Sequence, residues 1–317
     1  MTVSDIITDF GAYYRDGGQS IQDLYRALYA QTDTTQYMTT KIVKGTQWQA
    51  AESTIGQVLQ PFHKNFTPTS GPTFTAKQID LYHHKMDVSE YPDDLEDTWL
   101  GFLANEKVSR MEWPYAKWLA EVHLFPKFNR DYEKNEIYKG VYAAPNGSTA
   151  GAAGTSMNGL GKVIADAITA TEMTAITTGA LQTVPEDFCT QVEDFCDGII
   201  SINEDYADVE MNVHMSKALA QRYARGYRAK YGKDMDFNGT VLRRIDSNFG
   251  IVGLSSMSGR SRMFATTKEN MVDLKFRETR ANLLDIQQAE RQVKFLADSW
   301  RGAGFIINQI VFPNEQV

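Results

Sequence analysis

The strongest constraint in this sequence is a long helical pattern over residues 112–139. Ser109 and Glu112 have the spacing of a capping box, Pro126 is expected to kink the run, and Gly140 is suited to end it. A continuous helix of this length would extend roughly 40 Å at about 1.5 Å per residue, enough to cross a domain. Its apolar side chains recur at steps of three and four, and the predicted core face comprises Trp113, Trp118, Leu119, Val122 and Phe125.

The chain before this helix lacks a core of its own. Residues 1–57 are polar, with two short stretches near 21–29 and 47–58 that favour amphipathic helices. Such a segment has too few apolar residues to fold alone and should lie on something else. It is either an arm that reaches a neighbouring subunit or a frayed terminus.

Residues 58–92 are predicted to be extended. Pro61, Pro68 and Pro72 exclude a helix, and polar and apolar side chains alternate over 73–88. The pattern indicates a long two-stranded hairpin, which is marginally stable unless other parts of the assembly pack on it.

The chain after Gly140 is first helical and then rich in strands. Helices are predicted over 159–171, from Thr183 onward and over 216–231. Strand patterns dominate after Val241, and Gly302 and Gly304 are expected to form a turn before a last central strand. This order predicts an α+β protein.

Composition excludes several classes of protein. The chain has 317 residues and a net charge of −8, so its overall field does not attract nucleic acid or anionic lipid. It opens on a polar, acidic segment without the features of a secretion signal, and no apolar run approaches the ~20 residues that cross a bilayer. We therefore expect a soluble protein, made inside the cell.

No motif predicts a catalytic, cofactor or metal site. Gly161-Lys162 and Gly253-Leu254-Ser255 resemble a phosphate loop and a hydrolase elbow, but both lack required residues. The histidines lack metal-ligand spacing, and Cys189 and Cys196 are predicted to be buried thiols. The basic stripe of Arg222, Arg225 and Arg228 favours a solvated face or a subunit contact over nucleic acid.

Several stretches, together with the order of elements, resemble the major capsid proteins of tailed phages, which have the Hong Kong 97 fold. The resemblance covers nearly the whole chain, and these stretches are most similar to capsid proteins from phages of the Bacteroidetes group. The stretches that carry it are Trp113-Pro114-Tyr115, Pro126-Lys127, Tyr138-Lys139-Gly140-Val141-Tyr142, Gly253–Gly259, Phe264–Met271 and Arg301–Phe305.

The resemblance implies a division of the chain into structural units. Residues 1–57 would be an N-terminal arm and 58–92 an extended loop. Residues 93–175, with the spine helix at about 112–139, and the return strands of 262–317 would form a peripheral domain. Residues 176–261 would form an axial domain. Gly71, Ile79 and Leu81 are the hairpin residues that we expect to contact a neighbouring subunit.

The resemblance also implies a function and partners. The chain would be a non-enzymatic subunit that assembles into the hexamers and pentamers of an icosahedral head around double-stranded DNA. Its partners would be further copies of itself, a separate scaffolding protein, a portal and possible decoration proteins, with no membrane and no cofactor. The protein would be made in the host cytoplasm and end in the virion.

Two alternatives remain open at this point. An encapsulin-type shell protein would enclose cargo enzymes in place of a genome. A soluble hydrolase would use paired carboxylates, which sequence spacing alone does not reveal because folding brings such pairs together.

Overall fold

The structure is a computed structural model that describes residues 3–11, 26–54, 56–69, 71, 73–147, 149–232, 241–243, 248–277 and 284–315. Its α-helices are α1 (Val3–Gly11), α2 (Pro92–Glu106), α3 (Tyr115–Trp118), α4 (Phe125–Asp131), α5 (Leu160–Thr169), α6 (Pro185–Ile202) and α7 (Lys217–Tyr231). Short 3₁₀ helices lie at Thr35–Tyr37, Glu204–Ala207 and Asn308–Ile310, and π-helical turns at Leu119–Leu124 and Tyr132–Glu136.

Twelve strands in the described residues form two five-stranded sheets and a separate two-stranded hairpin. The strands are β1 (Thr39–Val43), β2 (Gln47–Thr54), β3 (Thr73–Asp80), β4 (Tyr82–Glu90), β5 (Met211–Ser216), β6 (Val241–Arg243), β7 (Phe249–Leu254), β8 (Phe264–Thr266), β9 (Met271–Phe276), β10 (Leu284–Ala289), β11 (Gln292–Phe305) and β12 (Phe312–Pro313).

The first sheet is built around the long strand β11. Its first part pairs with β4 on one side and β10 on the other, both antiparallel, and its last five residues pair with β9. Strand β1 then adds to β9 in parallel. Because one strand takes part in both halves, β4, β10, β9 and β1 are held in one continuous sheet.

The second sheet has the order β12-β8-β5-β7-β6, and α6 and α7 pack on it. Its core contains Phe188, Phe195, Tyr223 and Phe249, all buried. Residues 262–317 were expected to supply return strands of the peripheral domain, and β8 and β12 of this range hydrogen-bond within the second sheet. The domain boundaries stay a prediction.

The spine helix is the continuous helical segment 115–136, and it begins later than predicted. The Ser109–Glu112 capping box forms, since the Ser109 amide donates to Glu112 Oε2 at 2.9 Å. It closes a separate turn before the helix, however, because Pro114 is extended (ψ 150°) and serves as the N-cap residue. The helix also ends slightly early, in a turn before Gly140.

Pro126 does not break the spine helix, although the sequence analysis expected a kink or break there. Proline has no amide hydrogen to donate, and the turn immediately before it, Leu119–Leu124, is π-helical. A widened turn is a common local solution where the regular ladder of hydrogen bonds is interrupted.

The widened turn also explains which predicted core residues are buried. Trp118, Leu119 and Phe125 are almost fully buried. Val122, inside the π-helical turn, is 38% exposed, which corrects its placement on the core face. A π-helical turn has more residues than the regular period assumes, so that period gives the wrong phase there. Trp113 precedes the helix and is partly buried against the same cluster.

The N-terminal segment belongs to the core of its own chain within the described residues. Ile6, Leu28 and Tyr29 are buried in the cluster that covers the spine helix, and β1 is part of the first sheet. The described parts of 1–57 therefore pack on their own chain, and the extent of an N-terminal arm stays a prediction. The amphipathic stretch near 21–29 lies largely outside the described residues.

We expect Trp118→Ala to lower the free energy of unfolding by about 3–5 kcal/mol. Trp118 is 1% exposed, so its truncation leaves a cavity against Tyr115 and Phe102. Val122→Ala is the control on the same helix and should cost less than about 1 kcal/mol because the side chain is partly in solvent. Urea unfolding of the unassembled chain measures both, and equal losses would contradict this description of the core.

Candidate functional site

The hairpin that leads to the exposed loop 56–69 differs from the predicted one. Strand β2 pairs antiparallel with β3 from Gln47↔Asp80 to Thr54↔Thr73. The helix expected near 47–58 is therefore a strand over 47–54. Strand β4, predicted as part of the hairpin, instead pairs with β11 in the first sheet. The extended element thus spans 47–80.

The base of this hairpin is anchored by apolar side chains. Ile79 and Leu81 are buried against Val272 and Leu274 of β9. The Leu81 amide donates to the Thr46 carbonyl at 2.8 Å and closes the base. This chain covers both side chains, and a contact of these two residues with a neighbouring subunit stays a prediction.

Two glycines of β11 make room for the hairpin base. A Cβ atom on Gly302 would lie 2.5 Å from the Asp80 carbonyl oxygen, and one on Gly304 would lie 2.9 Å from Ile79 Cδ1. These glycines were expected in a turn, yet both lie within the strand. Their function is to permit a close backbone approach, a recognised use of glycine in strands.

A polar contact further along β3 also fixes the direction of the hairpin. Lys77 Nζ lies 2.8 Å from Glu172 Oε2, and the same carboxylate accepts a hydrogen bond from Asn308 Nδ2 at 2.5 Å. These interactions lower the pKa of Glu172. The hairpin therefore leaves the first sheet at a defined position.

The loop between β2 and β3 presents apolar side chains to solvent. Phe62 and Phe66 are each 92% exposed, and Val58 and Leu59 are also exposed. Gly71, the remaining predicted contact residue, is exposed on the same loop. No periodic pattern predicted these exposed phenylalanines, because an irregular, proline-rich loop has no periodicity. Large aromatic residues between Pro61 and Pro68 were the one feature of the sequence that could have indicated a contact surface. Exposed apolar side chains in one loop mark a surface suited to a partner.

A buried polar network ties the N-terminal segment to the spine helix. Glu133 accepts hydrogen bonds from the Thr34 hydroxyl at 2.6 Å and from the Thr34 amide at 3.2 Å. The Thr34 hydroxyl also lies 2.7 Å from Ser256 Oγ, just after β7. These contacts join elements from three distant parts of the chain.

Asp33 extends this network to α7. It accepts hydrogen bonds from the Ser255 amide, at 3.1 Å, and hydroxyl, and Lys217 Nζ lies 2.7 Å away. Burial alone would raise the pKa of Asp33, but hydrogen bonds from Lys217 and Ser255 outweigh it and lower the pKa. The network bridges the two sheets with satisfied polar groups, an arrangement that specifies geometry more than it adds stability.

A buried arginine of β11 contacts both the N-terminal segment and the spine helix. The Arg301 guanidinium carbon lies 4.4 Å from the Tyr132 ring centroid and 4.7 Å from that of Tyr29. It also donates to the Leu28 carbonyl at 2.5 Å and to Asn129 Oδ1 at 3.1 Å. Cation–π contacts and hydrogen bonds together stabilise a charge that burial alone would disfavour.

Among the described residues, two buried histidines and a buried cysteine have strongly shifted pKa values. Burial lowers the pKa of His84 and of His214 to about 3, so both rings are neutral near pH 7. Burial raises the pKa of Cys189 to about 12, which leaves an unreactive thiol. Within the described ranges, three or more His, Cys, Asp or Glu side chains nowhere gather as a metal site would require. Helices long and apolar enough to span a bilayer are likewise absent from these ranges.

Comparisons with known proteins identify the fold. No protein-family model matches the sequence, and no curated protein does either. The chain is similar to a solved structure of the satellite phage P4 procapsid, with a TM-score of 0.55, 13% identity, and coverage of 94% of this chain and 91% of the other. It is also similar to the capsid of the Myoviridae phage XM1, with a TM-score of 0.50, 11% identity, and coverage of 87% and 90%.

These two similarities define a class of fold, since each extends over most of both chains. The protein has the mixed helix-and-sheet fold of phage capsid proteins, which confirms the α+β class and the Hong Kong 97-type fold predicted from sequence. At such low identity the similarity establishes the fold alone.

We expect Gly302→Ala to destabilise the attachment of the hairpin. The new methyl group would meet a backbone carbonyl at 2.5 Å, so β3 must move away from β11. Gly101→Ala is the matched control, because Gly101 lies on α2 with open space around it and should gain about 0.5–1 kcal/mol from helix propensity. Urea unfolding and proteolysis near residues 47–80 measure the difference. A Gly302→Ala protein as stable as the wild type would contradict the close approach.

Proposed function

We propose that this chain is the major capsid protein of a tailed phage, a structural subunit that assembles into hexamers and pentamers of an icosahedral head around double-stranded DNA. The observation that carries the proposal is the hairpin 47–80. Its base is firmly attached to the core, while its loop exposes Phe62 and Phe66 and has no core of its own. A two-stranded hairpin of this kind gains stability when other subunits cover it.

The structural units receive functional assignments on this basis. The first sheet and the spine helix form the peripheral domain, and the second sheet with α6 and α7 forms the axial domain near the centre of each ring. The hairpin 47–80 is the extended loop, and its apolar loop, including Gly71, contacts a neighbouring subunit. The N-terminal arm is proposed within residues 1–57, of which Ile6, Leu28, Tyr29 and β1 pack on their own chain.

The proposal extends to partners and location. A separate scaffolding protein, a portal and decoration proteins would complete the particle, and packaged DNA would be held without sequence-specific contacts. A net charge of −8 supports the last point, because affinity for phosphates depends on the cations that a protein offers. The protein would be made in the host cytoplasm and end in the virion, and the motifs of the spine helix favour a phage of the Bacteroidetes group.

Microscopy of the purified full chain, expressed alone and with a candidate scaffolding protein, tests this proposal. We expect rings of five and six subunits or closed shells, visible by negative stain and measurable in mass by light scattering. A uniform monomer or dimer under every condition would contradict the proposal and lead to a screen for carboxylate-dependent hydrolase activity.

The contents of particles from the native source separate the two kinds of shell. Nuclease-protected double-stranded DNA would support a phage head. Particles that contain protein cargo and no nucleic acid would instead identify an encapsulin-type shell.

A further inference from the structure

The two helices on the second sheet carry opposite charges. Residues 185–210, comprising α6 and the segment after it, contain nine Asp or Glu residues and no Lys or Arg. Helix α7 contains five Lys or Arg residues and no Asp or Glu. Solvation alone does not require such separation, since mixed charges keep a surface equally soluble.

The basic residues of α7 fall on two flanks with different surroundings. Arg222 and Lys230 contact α6 within the chain, since the Arg222 guanidinium carbon lies 5.4 Å from the Phe188 ring centroid and Lys230 Nζ lies 2.8 Å from Glu193 Oε2. Arg225 and Arg228 lie on the flank that faces away from α6 and are exposed. With Gln221 and Ala224 they line a shallow cleft of about 190 Å³, which we call the basic flank.

The acidic surface lies at the opposite edge of the second sheet. The 3₁₀ helix Glu204–Ala207 follows α6, and its Tyr206 ring packs 5.2 Å from Phe312 of β12, the first strand in the sheet order. Helix α7 instead packs over β7, where Ala220 closely approaches Gly253. We call the exposed residues Glu204 and Asp205 the acidic edge.

We propose that the basic flank of one copy docks against the acidic edge of the next copy around a ring of axial domains. This inference rests on the proposed function and adds the contact that closes each ring. Opposite charges at opposite edges suit a head-to-tail contact, which generates a ring when the rotation closes. A twofold contact through the basic flank would place arginine against arginine and is disfavoured.

We expect the contact to determine which orientation two copies adopt and how fast rings form. Single exposed ion pairs add little stability, but complementary charged faces steer association and suppress wrong orientations. The Debye length is about 10 Å at 0.1 M salt and about 3 Å at 1 M, so ring formation should slow markedly between these concentrations.

Charge reversal in the full chain tests the inference under conditions where the wild type forms rings. Arg225→Glu with Arg228→Glu, and separately Glu204→Arg with Asp205→Arg, should each lower the ring yield at least tenfold. Ring yield is measured by sedimentation and negative stain, and urea unfolding checks that each variant remains folded. The matched control for the arginine reversal is Arg291→Glu with Lys294→Glu, which changes net charge equally on the first sheet and should leave more rings.

Recombining the variants gives the sharpest outcomes. All four substitutions in one chain should restore both pentamers and hexamers, because the two edges are complementary again. A mixture of the two double variants should form rings only by alternation, which requires an even number of subunits, so hexamers should return without pentamers.

The results separate failure of this inference from failure of the proposed function. Wild-type protein that forms no rings would contradict the proposed function. Wild-type rings together with unchanged yields for both reversals would overturn the inference alone. It would also be overturned if the arginine reversal left assembly intact but reduced the DNA retained in particles, since the basic flank would then bind nucleic acid.

Discussion

The close approach of the hairpin base to β11 is the constraint on which the rest of the architecture depends. Asp80 and Ile79 lie so near Gly302 and Gly304 that a single added methyl group would collide with them. At this contact the chain passes from β3 of the hairpin to β4 of the first sheet within two residues. One strand, β11, therefore supports the extended hairpin, pairs with β9 and carries the buried Arg301.

Buried polar contacts add to this attachment by fixing the position of the two sheets relative to each other. Arg301, Glu133 and Asp33 all bind groups from the short N-terminal segment or lie within it, and each also contacts an element far away in sequence. Their hydrogen bonds require specific partners, whereas apolar packing tolerates rearrangement. These contacts fix the two sheets relative to each other, while the loop of the hairpin stays exposed.

Sequence reasoning predicted the features that repeat regularly and missed those that depend on tertiary contacts. The spine helix and the buried Trp118 followed from periodicity. The exposed Val122 did not, because a π-helical turn changes the helical phase. The burial of Ile79 and Leu81 depends on β9, a strand more than 190 residues away, which no local pattern specifies. Resemblance in the order of elements predicted the fold more successfully than any single motif.

Hydrogen exchange of the hairpin amides, measured in the unassembled chain and in assembled particles, tests the central claim most directly. The account predicts that amides of β2 and β3 beyond the buried base exchange rapidly in the free chain and become strongly protected on assembly, because neighbours then cover the hairpin. The buried positions near Ile79 should be protected in both states. Equal exchange of the outer hairpin in free chain and particle would contradict the claim that assembly completes this element.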